Sequence, residues 1–179
     1  MSTADRRAPL GREQAWSDAA PDHGQVVVVT DNPIGRAVVE IAQITGRRTT
    51  LLADEDADAS PLGWLAGHPL DDRDALVLCD HDTPDMEALL RHALSGRTGY
   101  IAMMASRRRA ATVLAALSDS IAPEALARLH VPAGLNTGGK GPGEIALSVV
   151  AEIVAEAYGR DGGRMRLATE PSPANVHTS

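Results

Sequence analysis

The feature that most constrains the fold is the alternation of short apolar runs with segments of helical periodicity. The run 25–30 (QVVVVT) is β-branched, and 75–79 (ALVLC) is apolar throughout. Such runs are typical of strands buried on both faces. The segment 34–45 places apolar residues at helical spacing and is followed by a glycine, which predicts a helix and its end.

Strands that alternate with helices predict an α/β fold: a mostly parallel sheet with right-handed crossovers and helices on both faces. The predicted strands are 25–30, 49–53, 75–79, 99–104 and a short one at 129–135 that runs into a turn. The predicted helices are 34–45, 61–66, 84–94, 106–117, 123–129 and 143–158, with Pro84 in the first turn of the third. We expect the strand order 3-2-1-4-5 in the sheet.

Length and composition predict one domain with an aliphatic core. The chain has 179 residues, of which 44% are hydrophobic and 2% aromatic, with no Phe. Polar, Pro- and Gly-containing segments without periodicity predict disordered tails at 1–23 and 161–179, which leaves a domain at 24–160.

Charge and cysteine content exclude several classes of function. The net charge of −7 and the pI of about 5.3 argue against a nucleic-acid partner. Cys79 is the single cysteine, so an internal disulfide and a CxxC motif are excluded. Neither an apolar run of membrane-spanning length nor an apolar signal segment is evident, so we expect a cytoplasmic protein without membrane contact.

The segment 106–109 (SRRR) is the best candidate for an anion site. Ser106 is placed to cap a helix, whose free N–H groups and dipole attract anions. Three arginines directly inside that end oppose the dipole, so structure alone does not explain them. They fan over about 200°, and we expect Arg107 to face the ligand, with a bound phosphate also facing the turn at Gly35. A solvated run of charges is the alternative.

Three motifs resemble a known family. The segments 101–109 (IAMMASRRR), 129–135 (LHVPAGL) and 144–153 (EIALSVVAEI) are similar to the tail of the XdhC/CoxI accessory proteins, which serve molybdenum hydroxylases such as xanthine dehydrogenase. The resemblance covers about 25–158 and implies a Rossmann-like three-layer sandwich. It also implies a non-catalytic accessory role, the molybdenum cofactor (molybdopterin) as ligand, and a molybdenum hydroxylase as partner. Fuller relatives carry a preceding domain with a cysteine-bearing segment, so a separate XdhC-type N-terminal partner is expected to supply it.

The loop after the first strand departs from the dinucleotide-binding pattern G-x-G-x-x-G. In the window 30–35 (TDNPIG) only Gly35 is retained. Asp31 would repel a pyrophosphate, although Asn32 tolerates left-handed backbone angles and Arg36 could fold over the loop. We therefore expect NAD(P) to bind weakly or not at all. The loop's candidate ligand contacts are Asn32, Ile34, Gly35 and Arg36.

Three further candidates lie at the carboxyl ends of later strands, where open α/β sheets bind ligands. Asp54 stands where a ribose-binding acid belongs, although a solvated acidic loop explains it equally. His81 lies between two aspartates. It could transfer protons, act as one metal ligand or be part of a turn, and these alternatives remain open; no metal site is predicted. Gly134 permits close approach of a ligand, whereas His130 is read as structural.

Two other classes of function remain beside the accessory role. A degenerate Rossmann module could act by protein contact, including as a homodimer, because the first loop is eroded. An NAD(P)-dependent oxidoreductase is less supported, since no acid–base pair or substrate domain is evident and no catalytic residue is assigned.

Overall fold

A computed structural model describes residues 22–53, 60–80 and 85–165. Five strands and six helices occur in these ranges. The strands are β1 (Gln25–Val29), β2 (Arg48–Leu52), β3 (Ala75–Leu78), β4 (Tyr100–Met103) and β5 (Leu129–His130). The helices are α1 (Pro33–Ile44), α2 (Pro61–Gly67), α3 (Met86–Ser95), α4 (Arg107–Ser118), α5 (Pro123–Leu126) and α6 (Pro142–Ala157). Helix α3 follows its N-cap Asp85, and Pro84, expected in its first turn, lies outside the described residues.

All strand pairs are parallel, and the order in the sheet is β2-β1-β3-β4-β5. The predicted α/β class is confirmed, but the predicted order 3-2-1-4-5 is wrong. The physical reason lies in the strands themselves. β3 is buried at all four residues and occupies an interior position, whereas β2 begins with an exposed Arg48 and two threonines and tolerates the edge.

Two apolar clusters fill the space on either side of the sheet. Val26 and Val28 point to the face covered by α1 and α6, and Val27 and Val29 point to the face where α2, α3 and α4 contribute buried side chains. This alternation follows from the two-residue period of a strand. It confirms the three-layer sandwich.

The order of the strands places a crevice between β1 and β3. The chain leaves β1 toward β2 at one edge and then returns to the other side of β1 for β3. Such a switch point opens a crevice at the carboxyl ends of the two strands, where ligands bind in folds of this kind. The loops that follow β1, β3, β4 and β5 therefore form the candidate site.

The described parts of the two predicted tails are short. Of the predicted tails, only 22–23 and 161–165 are described, and they lie in neither helix nor strand. Within the described ranges, no helix combines the length and the apolar character needed to cross a bilayer.

Candidate functional site

The loop after β1 makes a tight turn without the usual glycines. Thr30 has a φ of 85°, a left-handed angle that is rare for a β-branched residue. Asn32 is extended, with a φ of −125°, so the expectation that Asn32 supplies the left-handed angle is not met. The positive φ falls on Thr30, at the position of the first glycine of the pattern.

The Asn32 side chain closes the crevice from one side. Its Oδ1 accepts from the Gly35 N–H at 2.8 Å, and its Nδ2 donates to the Cys79 carbonyl oxygen at 3.2 Å. One amide therefore caps α1 and ties the end of β1 to the end of β3. A Cβ at position 35 would collide with the Thr30 carbonyl oxygen, so Gly35 serves the close packing of helix on strand.

Arg36 neutralises the acidic residue of the loop. Its Nε lies 2.5 Å from Asp31 Oδ1, and both side chains remain partly exposed. The predicted folding of Arg36 over the loop is thus seen, with Asp31 as its partner. Because Arg36 and Asp31 already form an ion pair, each charge is partly compensated and attracts or repels a ligand less.

The start of α1 offers little to a phosphate. A helix normally presents several N–H groups without intrahelical partners. Here Pro33 lacks an N–H, and the Gly35 N–H is bonded to Asn32. Among the first three helical positions, only the Ile34 N–H is left for an anion, which is far less than a dinucleotide cradle provides.

The end of β3 is buried rather than reactive. Burial, followed by the nearby charge of Asp80, raises the pKa of Cys79 to about 12. The thiol is therefore protonated at neutral pH and is a poor nucleophile. His81 and Asp54, both predicted at the site, lie outside the described residues. Within the described ranges, no group of three His, Cys, Asp or Glu side chains is arranged to hold a metal ion.

The start of α4 is open and cationic. Ser106 is its N-cap, and Ser106 Oγ accepts from the Arg109 N–H at 3.2 Å. The backbone N–H groups of Arg107 and Arg108 have no such partner among the described residues, and all three arginines are exposed. This end therefore offers two N–H groups and mobile positive charge, where α1 offers one N–H beside a matched ion pair.

The arginines of α4 face different surroundings. Arg109 lines a cavity of about 170 Å³ between α3 and α4, together with Met86 and Leu90. Arg107 stands about 200° away around the helix and does not line that cavity. This placement favours Arg107 over Arg109 as the residue that meets a ligand at the carboxyl edge.

Gly134 is engaged with α6. Its N–H donates to Glu152 Oε2 at 2.8 Å, and a Cβ there would collide with Ser148 Oγ. The glycine has a φ of 98°, which L side chains rarely adopt. Its role in the structure is to let the loop after β5 approach α6, and its N–H is not free for a ligand.

Sequence reasoning missed a buried polar network around Glu152. Tyr100 Oη donates to Glu152 Oε2 at 2.5 Å, and His130 Nδ1 lies 3.5 Å from Glu152 Oε1. The rings of Tyr100 and His130 stack with centroids 4.3 Å apart. The signal was present in the sequence: Ser148 and Glu152 recur four residues apart on the inward face of an apolar helix.

The strand order decides which candidates come together. Asn32 and the end of β3 are in direct contact, and β4 is one strand further along. Ser106 is therefore two strand spacings from the first loop, roughly 10 Å. In the predicted strand order β1 and β4 are neighbours, but in the fold β3 lies between them; a phosphate contact shared between Ser106 and the turn at Gly35 would have to span this distance.

Fold and loops together define an α/β protein of the Rossmann type, with a closed first loop and an open cationic helix start at the carboxyl edge of the sheet. The chain belongs to the XdhC Rossmann domain family, which matches residues 26–153.

Two known proteins are similar to this chain over most of its length. The uncharacterized protein YqeB of Escherichia coli (strain K12) is 37% identical over 126 residues, which are 69% of this chain and 22% of that protein. A crystal structure described as a xanthine dehydrogenase from Bacillus halodurans has the same fold, with a TM-score of 0.64 and 20% identity; the match covers 78% of this chain and 45% of that one. The chain thus spans less than half the length of either protein.

Proposed function

We propose that this protein is a non-catalytic accessory protein that binds a phosphate-bearing cofactor and assists the maturation of a molybdenum hydroxylase. The observation that carries the proposal is the open start of α4. Ser106, the exposed Arg107 and two backbone N–H groups without an acceptor among the described residues lie there, at the carboxyl edge of the sheet. Membership of the XdhC family supports the hydroxylase as partner.

The donor set fits the phosphate of an anionic pterin such as molybdopterin. Backbone N–H groups at a helix start and a guanidinium both recognise phosphate oxygens, and charge-assisted bonds of this type are the strong ones. The cofactor would supply its own redox chemistry to the hydroxylase. The residues of this chain hold the phosphate and leave the rest of the ligand accessible to a partner.

The closed first loop argues against an NAD(P)-dependent enzyme. Asn32 occupies the Gly35 N–H and Asp31 is held beside it by Arg36. A pyrophosphate would have to break both arrangements to reach the start of α1.

A titration with single variants tests the proposal. Molybdopterin, released from a hydroxylase under anaerobic conditions, and cytidine nucleotides are titrated against wild type, Arg107→Ala and Arg109→Ala. Loss of one charge-assisted contact is worth about 1.5–3 kcal/mol, so Arg107→Ala should weaken binding by roughly ten- to a hundredfold. Arg109→Ala is the matched control and should change binding little. Equal and negligible effects would mean that the arginines form only a solvated surface.

The second candidate function is a role through protein contact. It is favoured by the first loop, which Asn32 holds against the end of β3. If the carboxyl edge is closed by Asn32 and no ligand is bound, the module would act on its partner through its surface. Two results together would support this second function over the first. The protein would copurify with a molybdenum hydroxylase equally well as wild type and as Arg107→Ala, and it would not bind molybdopterin.

A further inference from the structure

A second cavity lies at the opposite end of the sheet, away from the candidate site. It has a volume of about 300 Å³, and the first residues of β3 and β4 line it. Its walls include Asp22, His23, Arg47, Asp74, Tyr100 and Tyr158. Nothing in the proposed function uses this cavity.

Arg47 is the unusual residue of this cavity. It is 4% exposed, and its Nη1 donates to Thr45 Oγ1 at 3.1 Å. Its Nη2 has no hydrogen-bond partner within the described ranges. A guanidinium stays protonated even when buried, so this position carries a desolvated charge without a counter-ion, an arrangement that costs stability unless an anion joins it.

The acidic residues of the cavity are already engaged elsewhere. Asp22 pairs with Arg73 at 3.0 Å, and Asp72 pairs with Arg97 at 3.3 Å. Asp74 accepts from the N–H groups of Gln25 and Asp71 at 2.8 and 2.9 Å. Glu156, at the rim, is exposed. None of these carboxylates forms an ion pair with Arg47.

The side of the cavity near Arg47 carries two rings. His23 and Tyr158 meet edge to face, with centroids 6.0 Å apart. Burial, and after it the charge of Arg47, lower the pKa of His23, so the histidine is neutral at neutral pH. Tyr158 is half-exposed and precedes Gly159, whose φ is 61°. Both rings line the cavity together with Arg47.

We propose that this cavity is a second ligand site, which binds a small oxyanion, a carboxylate or phosphate group, against Arg47. The oxyanion supplies the counter-charge that the described residues lack, and the His23 and Tyr158 rings enclose it. The site is separate from the start of α4, and its occupancy does not depend on the proposed accessory function.

Thermal unfolding of three proteins tests the proposal. Wild type, Arg47→Met and Arg48→Met are measured in potassium chloride, potassium phosphate or potassium succinate of equal ionic strength. Arg48 is the exposed neighbour of Arg47 on β2 and serves as the matched control. Phosphate or succinate should raise the Tm of wild type and Arg48→Met above the chloride value, because an anion that binds the folded state stabilises it. The anion that produces the rise identifies which oxyanion the site takes.

Arg47→Met should lose this rise, with a half-saturating concentration at least about tenfold higher. In chloride its Tm should equal or exceed that of wild type, because methionine fills the space without a buried charge. Arg107→Ala is measured in parallel. Its Tm should still rise with phosphate or succinate by at least the amount that Arg47→Met loses, and this result would distinguish the cavity at Arg47 from the start of α4.

A second readout does not depend on stability. Phosphate or succinate should raise the pKa of His23, followed by NMR, because an anion beside the ring favours its protonated form. The change should be absent in Arg47→Met and reduced in Arg47→Lys, which keeps the charge but loses the planar fork. Any of three results would overturn the proposal. The Tm could rise equally in wild type and Arg47→Met, it could fail to rise in wild type, or Arg47→Met could have a lower Tm than wild type in chloride.

Discussion

Glu152 is an acid held in its charged form inside an apolar layer. Burial, the largest single influence, favours the neutral form, but hydrogen bonds from His130, Tyr100 and the Gly134 N–H together outweigh it and lower the pKa of Glu152. Burial also raises the pKa of Tyr100, with the carboxylate adding to the effect, so the phenol stays protonated and donates. The network joins β4, the loop after β5 and α6.

The network predicts a loss of stability in acid. A carboxyl group whose pKa is lower in the folded than in the unfolded state contributes stability above its unfolded value, and this contribution disappears as the pH falls through the folded value. For Glu152 the loss should begin as the pH approaches the ordinary value of 4.5 and continue below it. Urea unfolding of wild type and Glu152→Gln across pH 3–7 should therefore show the largest difference near pH 7 and convergence in acid.

The same network predicts a cost for truncation. Glu152→Ala leaves the Tyr100 hydroxyl and the Gly134 N–H without their acceptor, at about 1–3 kcal/mol for each buried donor. Tyr100→Phe combined with Glu152→Ala should recover part of the loss in the free energy of unfolding, because one unsatisfied donor is removed. A double variant no more stable than Glu152→Ala would show that the tyrosine contact contributes nothing.

At the scale of elements, the turn into α1 is held by the chain's own groups at positions where the dinucleotide-binding pattern has glycines. The helix keeps its Gly35 contact with the Thr30 carbonyl, which any close helix–strand packing needs. The other two glycine positions carry Thr30 and Asn32, and the Asn32 amide bonds where a phosphate would. The sequence predicted the loss of dinucleotide binding, but the amide bridge to β3 requires knowing that β1 and β3 are neighbours.

This arrangement predicts a partial gain of NAD(H) binding in Asp31→Gly/Asn32→Gly. The double variant frees the Gly35 N–H and releases Arg36 from its ion pair, so NAD(H) should bind about tenfold more tightly than to wild type, the value of one charge-assisted contact. Asp31→Asn is the control that removes charge without opening the backbone, and it should give a smaller gain. Wild-type binding of NAD(H) at low-micromolar concentration, measured by calorimetry, would contradict the closed-loop interpretation.

The strand order is the part of the fold that the local pattern could not decide. Each strand and helix was predicted from apolar runs and periodicity, and the observed ends agree to within three residues, except that β5 ends at His130 within the predicted segment 129–135. The order depends on which strands can lie at the exposed edge of the sheet, and this is a property of the assembled sheet. The available signals were the arginine and two threonines at the start of β2 and the wholly apolar sequence of β3.

At the scale of the whole molecule, the sequence located the helix start at Ser106 but missed the Glu152 network and the burial of Arg47. Ser106 was recognisable from its position before a helix, because capping is local. Arg47 reads as an ordinary surface arginine in the sequence, and only the fold buries it and places it in a cavity that Asp22, His23 and the end of α6 also line. The Glu152 network likewise joins residues that are 18 to 52 positions apart. A polar residue on an apolar helix face can be recognised in the sequence, but its partners follow from topology and cannot be read from a window of sequence.

The distribution of buried residues predicts that a shortened chain folds independently. Among the described residues, the members of both apolar clusters lie between Val26 and Ile153, and apolar burial is the main source of stability. A protein consisting of residues 22–165 should therefore unfold cooperatively, with a Tm within about 4 °C of the full chain, the shift that roughly 1 kcal/mol produces in a domain of this size. It keeps His23, Arg47 and Tyr158, so the response to phosphate in the second cavity should also be retained. Calorimetry of the two proteins in chloride and in phosphate measures both quantities. A Tm lower by 10 °C or more, on the order of 3 kcal/mol, would show that residues outside this range stabilise the domain.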